Sequence, residues 1–321
     1  MSNTFRVSES PHVRGKRSTQ SIMLEVIIAL TPGAVFGIYN FGVNALIRLL
    51  VGVFVCVAIE AIYQAAMKKK VTVGDLSAAL TGLLLAMNLP SEFPIWMEIV
   101  GCAFAIIVVK QLFGGLGQNF MNPALAARCF LMLAYTAQMT NYVIDGVSSP
   151  TPLAILKPGG ETEGVVNLWD MFTGNINGVI GETSVICLMA GATYLLIRRI
   201  ISPRIPFIYI ATFAALTFLL TPGHSFDFIY LLEEICGGGL ILGAFFMATD
   251  YVTSPTTPKG RLLFGVVLGV LTFIFRMFGG SPEGVSYAII FSNMLVPFIE
   301  KATVPKPFGW EKPVKKEAHH E

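Results

Sequence analysis

The feature that most constrains this chain is a succession of apolar runs, each close to the length needed to cross a lipid bilayer. A spanning helix needs about 20 mostly apolar residues. Charged residues make up 13% of the 321 residues, about half the share that is usual in a soluble domain. A water-soluble fold cannot cover so much apolar surface, so the sequence predicts an all-α integral membrane protein.

Ten such runs divide the chain. The third is apolar only from Leu76 to Leu89 and stops at Pro90, and the eighth ends just before Asp250 and two prolines. Short runs interrupted by Pro or Gly are typical of discontinuous membrane helices, so we expect the third and eighth helices to be broken. The predicted spans are 22–38, 44–66, 74–89, 93–110, 121–139, 181–198, 206–220, 228–247, 262–278 and 283–300.

Two pairs of similar segments indicate an internal repeat. Leu-Phe-Gly-Gly at 112–115 precedes the fifth span, and Met-Phe-Gly-Gly at 277–280 precedes the tenth. Segments 81–88 and 242–250 end the third and eighth spans. Because each half would hold an odd number of spans, equivalent helices would run in opposite directions, as in inverted repeats. We predict two inverted five-helix repeats, although matches this short also arise by chance in a chain with 31 glycines.

The basic residues predict the orientation. Ten spans put both termini on one side, and 18 of the 22 Lys and Arg residues then share that side. Cytoplasmic loops carry an excess of Lys and Arg, so we expect a multi-pass protein of a bacterial or archaeal cell (inner) membrane with both termini in the cytoplasm. The predicted single membrane domain, 1–321, consists of a cytoplasmic tail 1–21, a first five-helix half 22–139, an outer loop 140–180, a second five-helix half 181–300 and a cytoplasmic tail 301–321.

The loop at 140–180 is the longest polar interruption of the chain. Near its start stands Asp145-Gly146-Val147-Ser148-Ser149-Pro150-Thr151-Pro152-Leu153. Such a segment can present a hydroxyl group rigidly at the edge of a membrane, and the predicted orientation puts Thr151 on the outer face. The same composition is also that of an ordinary Pro-rich turn.

A second segment, 114–124, joins several glycines to a predicted helix start. Its glycines allow the backbone to approach a ligand closely, and Asn122 with Pro123 suits the N-cap and first position of a helix. Arg128 follows inside the fifth span, where an unpaired guanidinium is costly. It either faces a polar cavity or pairs with a carboxylate of a neighbouring span. The candidate carboxylates are Glu98 and Glu60.

Two further segments place polar groups at helix ends. The stretch 178–184 opens the sixth span, and a helix start suits an anionic or carbonyl-bearing ligand; it is equally compatible with an ordinary helix start. The stretch 248–260, on the opposite face, resembles the Thr151 segment in composition. Its Asp250 is a candidate to contact a passing cation, or it belongs to a cytoplasmic turn. The polar residues that open the sixth span are Gly181, Glu182, Thr183 and Ser184.

Missing motifs narrow the functional classes. There is no Walker loop, which argues against an ATPase, and no Gly-x-Gly-x-x-Gly between a strand and a helix, which argues against a dinucleotide-binding fold. The five cysteines are far apart and lie in or beside apolar runs, so neither a zinc site nor a local iron–sulfur motif is predicted. We assign no catalytic residue and no metal site, and nucleic acid is not among the predicted partners.

Segments 114–124, 145–153, 181–184 and 248–260 occur in this order across the ten predicted spans. In this combination the chain resembles the RnfD subunit of the Rnf complex, the ion-translocating ferredoxin:NAD oxidoreductase. That subunit is similar to the NqrB subunit of the sodium-pumping NADH:quinone reductase. The resemblance covers nearly the whole chain. Its most specific part is the Ser-x-x-Thr signature for covalent flavin attachment, here Ser148-Ser149-Pro150-Thr151, where the Ser-Pro pair departs from the more usual Gly or Ala.

The resemblance implies that Thr151 carries FMN through a phosphoester to its hydroxyl. A flavin transferase would need an aqueous, flexible acceptor loop, and we expect 140–180 to supply one. A second, non-covalent flavin, riboflavin, is implied within the membrane, with Asn122, Arg128 and the loop from Gly114 as predicted contacts. The other predicted contacts of the flavin on Thr151 are Asp145, Ser148, Ser149, Gly181, Glu182, Thr183 and Ser184.

The function implied by the resemblance is that of a membrane flavoprotein subunit of a redox-driven cation pump. Electron transfer from reduced ferredoxin to NAD would be coupled to translocation of Na⁺ or H⁺, with no complete activity in this chain alone. The implied partners are the lipid bilayer and the other subunits of a six-subunit-type Rnf complex, above all a flavin-carrying subunit and membrane iron–sulfur subunits, through which ferredoxin and NAD are reached. The alternatives are a cofactor-free transporter or channel, the NqrB subunit of the quinone reductase, and a structural membrane anchor.

Overall fold

The computed structural model describes residues 17–144, 147–148, 150–157, 167–280 and 283–305. They form α-helices joined by turns, with one short antiparallel hairpin, β1 (Val143–Ile144) and β2 (Val147–Ser148). The helices are α1 (Thr19–Ala66), α2 (Ser77–Met87), α3 (Ile95–Ala103), α4 (Pro123–Ala134), α5 (Thr136–Met139), α6 (Pro152–Leu156), α7 (Leu168–Thr173), α8 (Val185–Ile197), α9 (Arg204–Leu220), α10 (Phe228–Cys236), α11 (Leu240–Leu242), α12 (Pro258–Phe278) and α13 (Val285–Thr303). A 3₁₀ turn, Val73–Asp75, precedes α2, and α3 and α11 continue as π-helices, Phe104–Gln111 and Gly243–Met247.

Helix α1 contains the first two predicted spans. A straight helix of its 48 residues would be about 72 Å long, more than twice the hydrocarbon thickness of a bilayer. The helical path is interrupted at Gly42, where φ is 67° and ψ is −152°. Glycine tolerates this conformation because it has no Cβ. The sequence places its gap between spans at the same point.

The eighth predicted span is bent, as its glycines allow. Helix α10 ends at Cys236, and the segment Leu240–Met247 continues at an angle of 63°. Gly238 and Gly239 between them have φ values of 58° and 68°. Helix α2, in the third predicted span, has only 11 residues, about 16 Å of helix, and ends before Pro90. Both elements therefore end inside the molecule and not at its surface.

The helix lengths fit a membrane protein without fixing the number of spans. Among the described residues, α1 and α12 are long and apolar enough to cross a bilayer, and the bent pair α10–α11 makes a third candidate. Helices α2, α4, α8 and α9 are apolar but shorter, with 10–17 residues. A helical membrane protein is thus confirmed as the class, whereas the predicted count of ten is not, because several predicted spans combine a short helix with non-helical chain.

Two groups of helices meet at α4. Helix α1 packs on α2, α3 and α8, helix α12 packs on α9 and α13, and α4 contacts both α2 and α13. Small residues allow the close contacts, as the Gly-x-x-x-Gly spacing at 265–269 suggests. A Cβ at Gly269 would lie 2.6 Å from the Cβ of Thr212, and one at Gly52 would lie 2.7 Å from the carbonyl oxygen of Gly82. This packing puts the residues of α4 at the centre of the molecule.

Candidate functional site

Thr151, the residue predicted to carry a flavin, caps a short helix. Its hydroxyl oxygen accepts a hydrogen bond from the backbone nitrogen of Ala154 at 3.4 Å, and the residue is 6% exposed. Beside it lies a cavity of about 20 Å³ that is also lined by Glu182, Gly238 and Glu283. A cavity of this size holds about one water molecule. The expected solvent-filled, accessible acceptor site is therefore wrong at Thr151 itself, because the segment that follows is docked against the protein.

Side-chain and backbone contacts hold this docked segment, residues 150–157. The ammonium group of Lys157 donates to the carbonyl oxygens of Gly279 at 2.7 Å and Gly280 at 3.3 Å. The hydroxyl of Tyr230 donates to the carbonyl oxygen of Leu156 at 3.3 Å. Three attachments at the far end of the segment keep the Thr151 hydroxyl turned inward.

The rest of the Ser-x-x-Thr motif is only partly described. Asp145 and Ser149 lie outside the described residues, and of Ser148 only the backbone is described, opposite Val143 in the hairpin. The roles assigned to these three residues remain predictions.

The segment that opens the sixth predicted span packs against the end of α2. The backbone nitrogen of Gly181 donates to the carbonyl oxygen of Met87 at 2.7 Å. A Cβ at Gly181 would lie 2.6 Å from the Cβ of Met87, so this contact requires glycine. Thr183 is buried, and the hydroxyl of Ser184 caps α8 by accepting from the backbone nitrogen of Cys187 at 3.4 Å. The segment thereby directs Glu182 toward the centre of the protein.

Arg128 forms the most connected ion pair among the described residues. One terminal nitrogen of its guanidinium donates to Asn88 Oδ1 at 2.8 Å, to Glu182 Oε1 at 2.9 Å and to Ser286 Oγ at 3.0 Å. The other donates to Glu283 Oε2. Glu283 also accepts from the hydroxyl of Tyr142 at 2.9 Å. We call Arg128 with Asn88, Glu182, Glu283 and Ser286 the Arg128 network; it joins segments from both halves of the chain.

The two carboxylates proposed from the sequence as partners of Arg128 have other partners. Glu98 Oε2 lies 3.7 Å from a terminal nitrogen of Arg48. Glu60 is bound by the ammonium group of Lys110 at 2.9 Å and by the side-chain amide of Gln111 at 2.6 Å. The sequence holds several carboxylates in or beside apolar runs, and no spacing rule could select the two that lie 54 and 155 positions from Arg128.

Sequence reasoning missed a second arginine network at the bend of the eighth span. Arg276, on α12, donates to the carboxylate of Glu234 at 2.9 Å and to the carbonyl oxygen of Gly237 at 2.9 Å. Its guanidinium also lies 5.0 Å from the centre of the Phe213 ring. A helix end leaves carbonyl groups unsatisfied, and Arg276 binds those of broken helix α10. The available signal was a charge inside an apolar run, which is rarely without a partner.

Asn122 caps α4, as predicted, and lines a cavity. Its side-chain oxygen accepts from the backbone nitrogens of Ala124 at 3.0 Å and Leu125 at 3.3 Å. The cavity has a volume of about 90 Å³ and lies at the end of the molecule that the sequence assigns to the cytoplasm; we call it the inner cavity. Its polar lining includes Ser77, Thr81, Lys110, Asn119, Asn122, Thr249 and Asp250.

The inner cavity separates the two predicted riboflavin contacts. Asn122 and Leu116, from the glycine-containing loop, line it, whereas Arg128 is not among its lining residues. Leu116 and Tyr251 are 38% and 51% exposed, so the cavity reaches the surface beside them. A mostly apolar pocket with a few polar groups is the usual form of a cofactor site. The cavity, and not the Arg128 network, therefore has the character of a ligand site.

Asp250 lies at the wall of the inner cavity, in the turn that follows the second π-helix. Its carboxylate accepts from the backbone nitrogen of Val252 at 3.3 Å and from the hydroxyl of Thr253 at 3.2 Å. Burial raises the pKa of this carboxyl, and the two hydrogen bonds oppose that increase. A carboxylate so placed can bind a proton or a monovalent cation. Elsewhere in the described ranges, no three His, Cys, Asp or Glu side chains are grouped as a metal site would need.

The chain is similar to a well-defined set of proteins. The profile of the NQR2, RnfD, RnfE family matches residues 6–309. The RnfD subunit of the Na⁺-translocating ferredoxin:NAD⁺ oxidoreductase complex of Acetobacterium woodii is 48% identical over 97% of this chain and 97% of its own. The corresponding subunit of the proton-translocating complex of Clostridium ljungdahlii is 42% identical over 96% and 97%. That of the ion-translocating oxidoreductase complex of Cronobacter sakazakii is 35% identical over 95% and 99%.

Proposed function

This chain belongs to the NQR2, RnfD, RnfE family, and we propose that it is a membrane subunit of a complex that couples electron transfer from reduced ferredoxin to NAD with translocation of Na⁺ or H⁺. The observation that carries the proposal is similarity along almost the entire chain to the RnfD subunits of such complexes. Those two relatives are named for different ions, so the proposal covers both cations. The chain acts as part of a translocase, together with other subunits, and has no complete activity alone.

The proposal includes FMN linked through its phosphate to the hydroxyl of Thr151. The support is the Ser148-Ser149-Pro150-Thr151 signature and the presence of the Thr151 side chain at the mouth of a polar cavity. The cavity of about 20 Å³ has no room for the flavin ring, so the ring would lie outside it. Attachment requires the docked segment to open, because the hydroxyl now caps α6 and is buried. When bound, the flavin supplies one- or two-electron transfer.

A second, non-covalent flavin, riboflavin, is proposed for the inner cavity. Asn122 and the ammonium group of Lys110 offer hydrogen bonds to polar ring atoms, and the apolar lining suits a flat ring system. The cavity of about 90 Å³ is smaller than such a ring, so Leu116 or Tyr251 at its rim would have to move outward. Arg128 is left out of this assignment because its guanidinium is bound within its own network.

The ion path is proposed to run between the Thr151 cavity and the inner cavity. Glu182 and Glu283 line the first, Asp250 lines the second, and the Arg128 network holds both glutamates. A cation that passes between the cavities would weaken at least one bond of Arg128 to a carboxylate, so the described arrangement is a closed one. Arg128 repels cations by its charge, and its release from Glu182 or Glu283 would open the path.

The finer topology is also part of the proposal: ten spans in two inverted five-helix halves, with the Thr151 loop on the outer face. Supporting it are the break of α1 at Gly42, the short α2, the bent pair α10–α11 and the basic residues around the inner cavity. In a variant without native cysteines, single cysteines at Thr140 and Ser202 would react with a membrane-impermeant maleimide from opposite sides of oriented vesicles. Labelling of both from the same side would contradict ten spans.

The covalent flavin is tested by intact mass spectrometry of the chain purified from cells that contain a flavin transferase. We expect the added mass of one FMN less water, on the peptide that contains Thr151, and yellow in-gel fluorescence after denaturation. Thr151→Ala should lose both, and Ser148→Ala and Ser149→Ala should keep them. An unmodified peptide would remove the covalent flavin and favour a cofactor-free transporter. The mass retained in Thr151→Ala and lost in Ser148→Ala or Ser149→Ala would move the attachment to that serine.

Ion coupling is tested in vesicles that contain the whole complex. Reduced ferredoxin and NAD should drive cation uptake, measured separately as Na⁺ accumulation and as internal acidification. Asp250→Asn should slow uptake more than it slows NADH formation, because it removes a charge from the proposed path. Equal loss of both rates would argue against a role for Asp250 in ion movement.

A further inference from the structure

A third cavity, of about 260 Å³, lies beyond the inner cavity at the predicted cytoplasmic end. Its lining comes from the turn after α8, the turn before α12 and the first residues of α12. Arg199 and Arg261 are its charged residues, and Ser202, Ser254 and Tyr251 contribute hydroxyl groups. We call it the arginine cavity. Nothing proposed above for electron or ion transfer uses it.

The two arginines of this cavity have no carboxylate partner. Neither guanidinium takes part in an ion pair with the described residues. Arg261 uses its Nε to donate to the carbonyl oxygen of Pro255 at 3.0 Å, which leaves its terminal nitrogens for another acceptor. Arg199 is exposed, with φ at 54°, in the left-handed region that non-glycine residues rarely occupy.

The acidic groups close to the cavity are already engaged. Glu25 receives two hydrogen bonds from Arg198, at 2.8 Å and 3.0 Å. The carboxylate of Asp250 accepts within its own turn. A further positive group, the guanidinium of Arg17, donates to the carbonyl oxygen of Arg198 at 2.8 Å. The local charge is therefore strongly positive, and an anion would complete it.

The hydroxyl groups fit a phosphate-sized anion. Ser202 and Ser254 make no hydrogen bond to the described residues through their side chains, so both can donate to a ligand. Guanidinium groups bind phosphate with paired hydrogen bonds. Two arginines and two hydroxyls lining one cavity are a donor set for a phosphate group.

The surroundings of the cavity favour a lipid as the source of that phosphate. Ile197, Phe207 and Leu262, on the helices that border the cavity, are 75%, 57% and 44% exposed. In a membrane such side chains contact acyl chains. Basic pockets between membrane helices on the cytoplasmic side bind anionic headgroups. The positive-inside rule explains the charge of this end, but it requires neither a cavity nor unpaired hydroxyls.

We propose that the arginine cavity binds the headgroup of one anionic phospholipid, with Arg199 and Arg261 on the phosphate and the acyl chains along the neighbouring apolar side chains. The bound lipid anchors the ends of α8 and α12 beside the inner cavity. A partner subunit with an acidic surface is the competing occupant, and the experiment separates the two.

The test is native mass spectrometry of the full chain in detergent, titrated with phosphatidylglycerol or phosphatidylcholine. We expect one tightly held phosphatidylglycerol and no comparable phosphatidylcholine. Each arginine near an anionic lipid surface contributes about 1 kcal/mol, so Arg199→Gln with Arg261→Gln should weaken retention about 30-fold. Arg204→Gln is the matched control, because Arg204 is exposed at the same end but does not line the cavity, and it should bind as the parent does.

Several results would overturn the proposal. Equal retention of both lipids, or unchanged retention in the double variant, would show that the arginines do not select the headgroup. Inorganic phosphate that displaces no lipid, yet protects the parent and not the double variant from thermal unfolding, would assign the cavity to free phosphate. Loss of the lipid in the intact complex, with the cavity protected there by another subunit, would assign it to that partner. Arg199→Lys with Arg261→Lys, which keeps both charges, checks that a loss in the double variant does not come from misfolding.

Discussion

Two buried arginines in the first half of the chain, Arg128 and Arg48, have very different surroundings. Arg128 reaches two carboxylates, an amide and a hydroxyl from four separate segments. Arg48 donates from Nε to the carbonyl oxygen of Ser91 at 3.3 Å, and its terminal nitrogen stays 3.7 Å from Glu98. Both carboxylate oxygens of Glu98 are buried without a hydrogen bond.

The difference shows that burial of a charge does not by itself reveal what the charge contributes. A buried ion pair stabilises a fold only when its geometry and its additional hydrogen bonds offset the loss of hydration. The Arg128 network meets that condition and connects the two halves. The Arg48–Glu98 pair does not, and it lies within one group of helices, α1 and α3. Substitutions should therefore separate the two pairs clearly.

The largest effect is expected for Arg128→Met. The change leaves Glu182 and Glu283 buried without their counter-ion and should lower the free energy of unfolding by about 3–5 kcal/mol. The measurement is chemical unfolding in mild detergent, followed by tryptophan fluorescence. Arg198→Met is the control, because its pair with Glu25 is half exposed and contributes at most about 1 kcal/mol. Equal losses in both variants would show that the network does not stabilise the fold.

A somewhat smaller loss, about 3 kcal/mol, is expected for Arg276→Met. One buried carboxylate, that of Glu234, and the carbonyl groups at the end of α10 would lose their donor. Arg276→Lys should fall between the parent and Arg276→Met, because an ammonium group can pair with Glu234 but lacks the planar fork that also reaches Gly237. If the lysine variant were as unstable as the methionine variant, the carbonyl contacts would outweigh the ion pair.

Gly181→Ala tests how the backbone positions Glu182. The added Cβ would lie 2.6 Å from the Cβ of Met87, and such overpacking costs about 1–3 kcal/mol. The shift should also weaken the bond between Glu182 and Arg128, so the loss in a Gly181→Ala, Arg128→Met double variant should be less than additive. Gly178→Ala, where the added Cβ meets nothing within 4 Å, should leave stability unchanged. Full additivity would separate Gly181 from the network.

The smallest effect is expected when Arg48→Met and Glu98→Leu are combined. Replacing a poorly bonded buried pair by apolar side chains is often neutral or stabilising, so the double variant should lie within about 1 kcal/mol of the parent or above it. Arg48→Met alone should be less stable than the double variant, because it leaves Glu98 without its cation. A loss in the double variant equal to that of Arg128→Met would erase the distinction between the two pairs.

Much of the fold was predictable because membranes impose strong local rules. The apolar runs predicted helices, the gap at 38–44 predicted the break at Gly42, and Asn122-Pro123 predicted the start of α4. The partners of Arg128 were not predictable, since Glu182 and Glu283 come from opposite ends of the second half. The buried position of Thr151 was missed for a similar reason: its loop is polar in sequence but is docked by Lys157 onto residues more than a hundred positions away.

The sequence by itself determined the medium of this protein, its helical character, its chain breaks and its family. Those properties depend on hydrophobicity, on glycine and proline, and on motifs that are local in the chain. Only the tertiary structure decided which charges are paired, that Asn122 and Arg128 belong to different sites, and that Arg199 and Arg261 line one cavity without a counter-ion. Charges act across space and not along the chain, so their partners are fixed only when packing brings distant segments within a few ångströms.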